Sequence, residues 1–72
     1  MNNLTKKQAQ LLECINYFIK KHGYSPTVRE LCKLCELSST ATIHVHLKNL
    51  VDKGYITYIP NASRTIRVIK EV

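Results

Sequence analysis

The spacing of apolar residues changes once along this chain, from a helical period to a β-like one. Leu11, Leu12, Ile15, Phe18 and Ile19 fall on one stripe of a helix. Thr5-Lys6-Lys7-Gln8 has the form of a capping box ahead of that stripe. Lys20, Lys21 and His22 suit a negative helix end, and Gly23 can take the left-handed conformation that stops the helix. A first helix is predicted over about 6–22. Tyr24-Ser25-Pro26 reads as a connector, because Pro26 disfavours helix at Ser25. Thr27-Val28-Arg29-Glu30 is a second capping box, opening a short helix with Val28, Leu31, Cys32 and Cys35 facing inward and an end near Cys35 or Glu36.

Leu37 is expected as a buried anchor in a tight turn, and Ser38 or Ser39 as the next N-cap, with Ser39 favoured. The third helix is predicted over about 40–53, with Ile43, Leu47, Leu50 and Val51 inward and Lys53 and Gly54 at its close. Beyond Gly54 the pattern is β-like. Tyr55-Ile56-Thr57-Tyr58-Ile59 is β-branched and aromatic, Pro60-Asn61-Ala62-Ser63 is a turn cluster, and Arg64 to Ile69 alternates with period two. A short helix followed after a few residues by another is helix-turn-helix spacing, and the hairpin behind it is a wing. The expected fold is therefore mainly α with a small β-hairpin: a winged helix-turn-helix of three helices plus a wing, forming one domain over 1–72.

The outward face of the third helix is where chemistry is expected. With Ile43 at the centre of the inner side, a turn of about 100° per residue places Ala41, Val45 and Lys48 opposite it, flanked by Thr42, His44 and Asn49. These residues are small, polar or basic, as a helix entering a major groove by its N-terminal half requires. Ser39 and Thr42 can hydrogen-bond base edges or phosphates, Ala41 and Val45 can touch a thymine methyl, and His44 can donate to guanine. The ordinary alternative is a solvated helix face. On the wing, Arg64 beside the turn is a candidate for a phosphate or the minor groove, with Ser63 and Asn61 near the tip. Thr27 and Ser39 mark helix starts whose free amides suit phosphates.

Composition supports that direction. The chain has 72 residues with 11 Lys and Arg against 5 Asp and Glu, a formal charge of +6. A basic excess on so small a domain fits a polyanionic partner and leaves little material for the walls of a catalytic pocket. No apolar run approaches the roughly 20 residues of a membrane span, and the N-terminus has no signal-peptide core, so the expected compartment is the cytoplasm. Three cysteines are present. Cys32 and Cys35 have C-x-x-C spacing, but His44 and His46 diverge by about 200° on their helix, so buried thiols are favoured over a zinc site. Cys14 lies next to the first stripe. No catalytic residue, metal or cofactor is expected.

Several segments together resemble the DNA-binding domain of LexA repressors. Leu4-Thr5-Lys6-Lys7-Gln8 is similar to the family's opening L-S/T-x-R/K-Q, and Gly23 to Glu30 to its G-Y/M-P-P-S/T-x-R-E segment. Leu37 to Leu47 resembles the recognition-helix region, Leu50 to Ile56 its L-x-x-K-G-x-I/L exit, and Ser63-Arg64-Thr65-Ile66-Arg67 its wing. The resemblance runs without gaps over about residues 4–69. It implies recognition of a palindromic operator in double-stranded DNA, with base readers at Ser39, Ala41, Thr42, His44 and Val45 and wing support from Ser63 and Arg64. Thr27, Lys48 and Asn49 complete the expected backbone contacts. The self-cleaving second domain of the family has no counterpart here, so the expectation is a monomer alone and two copies on the operator, repressing sterically. Two departures bear on structure: Glu36 stands where the family often has Gly, and Ser25 replaces the first of two prolines, which should loosen the connector. Two other readings stay open. One is a winged-helix module for protein–protein interaction, and the other a metal or redox sensor using Cys32 and Cys35.

Overall fold

The computed structural model describes residues 4–35 and 39–70. Helix α1 spans Lys6–His22, α2 Val28–Leu34 and α3 Thr40–Asp52; strands β1 (Ile56–Thr57) and β2 (Arg67–Val68) follow. Both predicted capping boxes form. The Thr5 hydroxyl accepts from the Gln8 amide while Gln8 Oε1 accepts from the Thr5 amide, each at 3.2 Å. Thr27 and Glu30 repeat the arrangement at 3.1 and 2.8 Å. Gly23 ends α1 at φ 80°, its amide donating to the Ile19 carbonyl. Ser39 occupies the N-cap position of α3, but its hydroxyl makes no capping bond. The expectations for Glu36, Leu37 and Ser38 lie outside the described residues.

The core lies where the three helices meet the base of the wing. Leu11, Leu12 and Ile15 come from α1, Leu31 from α2, Ile43, Leu47 and Leu50 from α3, and Tyr55, Ile56 and Ile66 from the C-terminal third. α3 packs against both other helices and against β1. Two inward expectations need correction. Val51 is exposed, because it sits past the edge of the stripe that Ile43, Leu47 and Leu50 bury. Cys32 and Cys35 are only half-buried, packed at the margin of the core rather than within it.

The wing is also shorter in ladder than its alternation implies. β1 and β2 are antiparallel and pair only Ile56 with Val68 and Thr57 with Arg67. The Ile69 and Lys70 amides both donate to the Tyr55 carbonyl at its base. Above the ladder, the bonds leave the strands. The Thr65 hydroxyl accepts from the Ile59 amide at 2.9 Å, and the Ile66 amide donates to Ser25 Oγ at 3.0 Å. Asn61 and Arg64 both adopt positive φ, 66° and 56°, which turns the loop out of register with a regular hairpin. Ser25 thus fastens the connector. Its buried hydroxyl donates to the Pro26 carbonyl and accepts from Ile66, the reverse of the loosening expected from the missing proline.

Candidate nucleic-acid interface

The buried stripe of α3 fixes what the helix shows to solvent. With Ile43, Leu47 and Leu50 fully enclosed, Ala41, Thr42, His44, Val45 and Lys48 are all exposed along the opposite side. Ser39 and Asn49 are half-buried at its edges. A cleft of about 400 Å³ runs beside this face, between the start of α2 and the wing, lined among others by Thr27, Arg29, His44, Asn61, Ser63 and Arg64. A second, shallower depression lies on the other flank of His44, lined by Val45, Lys48, Val51, Tyr58 and Pro60. His44 borders both.

The structure therefore gathers Thr27, His44, Ser63 and Arg64 around one cleft and places Val45 and Lys48 next to it. Ala41 and Thr42 share the open helix face without lining either hollow, and Ser39 and Asn49 line neither. Arg29 is a cleft residue that the sequence reading passed over. It is exposed in the first turn of α2, and its position two residues after the capping Thr27 was the available signal. Tyr58 was assigned to a strand and instead forms part of the floor between helix and wing.

Arg64 is not a free cation at the wing. Its guanidinium donates to both oxygens of Glu30, at 3.0 and 3.2 Å, and to the Ser25 carbonyl at 3.1 Å. Its flat face lies 4.8 Å from the centre of the Tyr24 ring. Glu30 is held below the usual carboxylate range, first by the Thr27 amide and then by Arg64. A non-glycine residue at φ 56° carries strain on the order of 1 kcal/mol, and these contacts hold Arg64 there.

The cysteines form a small group away from this face. Cys14 of α1 and Cys32 neighbour Cys35, whose thiol is pushed up to about 12, chiefly by burial and then by Cys14 and Cys32. A thiol so disposed is a poor nucleophile and a poor metal ligand. Among the described residues no group of three or more His, Cys, Asp or Glu side chains is placed to hold a metal ion. His46 Nδ1, turned toward the protein, has no hydrogen-bond partner among the described residues. No described helix is long and apolar enough to cross a membrane.

A short helix α2 leading into α3, with a hairpin packed behind them and an open face of small and polar residues on α3, defines a winged helix-turn-helix domain of the DNA-binding kind. The chain matches the model of the LexA DNA binding domain over residues 1–65. It is 47% identical over 68 residues to the LexA repressor of Caldicellulosiruptor saccharolyticus, covering 94% of this chain and 34% of that protein. The LexA repressor of Desulfatibacillum aliphaticivorans is 47% identical over 70 residues, covering 97% and 34%, and that of Limosilactobacillus fermentum 42% over 66 residues, covering 92% and 32%. The chain belongs to the LexA DNA-binding domain family, and it spans about a third of the length of these relatives.

Proposed function

We propose that this chain binds double-stranded DNA in a sequence-specific way and represses transcription by occupying a palindromic operator. The observation that carries the reading is the open side of α3. Ala41, Thr42, His44, Val45 and Lys48 lie exposed on a helix whose other side is buried, next to a cleft that the wing closes. Ser39, Ala41, Thr42, His44 and Val45 then meet base edges in the major groove. Thr27, Lys48, Asn49 and Ser63 meet the phosphates on either side. Extents of 28 × 25 × 21 Å leave one copy short of a full DNA turn of about 34 Å, so two copies side by side suit a two-fold site.

Selection of binding sites from random duplex DNA at two salt concentrations tests this. Enrichment of a palindrome with half-sites about one turn apart supports the reading. Bulk, salt-sensitive binding without any preferred sequence sinks it. One observation favours a protein-docking module instead: the depression of Val45, Val51, Tyr58 and Pro60 is mainly apolar and open to solvent. Replacing His44 and Val45 separates the two, since only a DNA reader loses preference for the selected duplex.

A further inference from the structure

Arg64 turns three of its five N–H donors to partners inside the protein. Both terminal nitrogens are engaged by Glu30, and one of them also by the Ser25 carbonyl, while Tyr24 lies against the guanidinium face. A phosphate approaching this arginine would meet the Glu30 carboxylate beside it, and the two anions repel. The backbone agrees, because a left-handed φ of 56° is an unfavourable state for an arginine, one held here by the side chain's bonds to Glu30 and Ser25. Next to it, Ser25 Oγ takes the Ile66 amide, so residues 64 and 66 are both fastened to one serine. The ladder beneath comprises only two residue pairs, too few to hold a loop of this length by itself.

We propose that Arg64 is a positioning residue and not a DNA ligand: with Glu30 and Ser25 it latches the wing to the connector between α1 and α2, and so sets Asn61 and Ser63 across the cleft from His44. Its effect on binding rests on the DNA-binding reading above. The latch itself does not, since it concerns the free protein.

Glu30→Gln separates a latch from a ligand. A DNA-contacting Arg64 restrained by Glu30 would be released by this change; the selected duplex would bind more tightly, and the slope of log K against log salt would steepen by about 1. A latch predicts the opposite: about fivefold to tenfold weaker binding, from loss of a preorganised wing, with no steeper slope. Arg64→Lys keeps the charge but not the two-pronged geometry, so it should lose about as much as Glu30→Gln if Arg64 is a latch and little if it is a phosphate contact. Hydrogen exchange at the Ile66 amide in the free protein is the second readout. It should quicken in both variants while the helical circular dichroism stays unchanged, and wild-type protection in both would overturn the proposal. If the wild-type chain selects no duplex at all, the DNA-binding reading falls, and the Ile66 amide still decides the latch.

Discussion

Ser25 shows how one hydroxyl can replace a strand. In a longer hairpin the Ile66 amide would be paired across the ladder; here it is paired to Ser25 Oγ, 41 residues earlier in the chain. Ser25→Ala leaves that buried amide without a partner and should lower stability by about 1–3 kcal/mol, read as a fall in the urea midpoint with unchanged slope. Cys35 gives a second residue-scale expectation. Its thiol is raised in the folded state, so its contribution is fully present below the ordinary thiol pKa and is lost as pH rises toward about 12. Urea titrations between pH 8 and 11 should show this alkaline loss, and Cys35→Ala should flatten it. The inward positions at Leu11, Ile15, Leu31, Ile43 and Leu47 were legible from apolar spacing alone. The bonds of Ser25, Glu30 and Arg64 were not, because they join residues 34 to 41 positions apart and no local period marks them.

At the level of elements, helix ends were the most readable features, since caps are written in four consecutive residues. Thr5 with Gln8 and Thr27 with Glu30 both close as their spacing implies. Gln8 goes further than its sequence suggests. It is buried, and its Oε1 also accepts from Lys53 Nζ at 2.8 Å, tying the first turn of α1 to the end of α3. Gln8→Ala removes both the cap acceptor and this tie and should cost about 1–2 kcal/mol by denaturant titration, against a smaller loss for Lys53→Ala. The wing was legible as a hairpin but not in its length. Alternation reports which side of a strand meets the core, and Ile66 does meet it, yet alternation is silent on where each amide finds its partner. The face of α3 was legible except at Val51, which lies just beyond the angle that the other helices cover.

For the whole molecule, small size sets the terms. The described core is ten residues drawn from every element but β2. Ile43→Ala, at the centre of it, should cost about 2–5 kcal/mol. Total stability on the order of 5–15 kcal/mol leaves a domain of this size near the lower end, so that variant should keep no more than about 3 kcal/mol and melt at a clearly lower temperature by calorimetry. The formal charge of +6 belongs to the same scale: it draws any polyanion closer without choosing among sequences, and in the function proposed above that choice falls to the open side of α3.

The buried residues Tyr55, Ile56 and Ile66 also have an order in time. On a ribosome the three helices emerge first, each able to coil locally, while the apolar side they share lacks the residues that close it. Completion of the fold waits for Ile66 to clear the exit tunnel. Until then Leu11, Ile15 and Leu47 form a sticky seam on a nascent chain, within reach of chaperones and of neighbouring nascent chains. Ile66 is thus the residue whose arrival lets the three helices close their shared core.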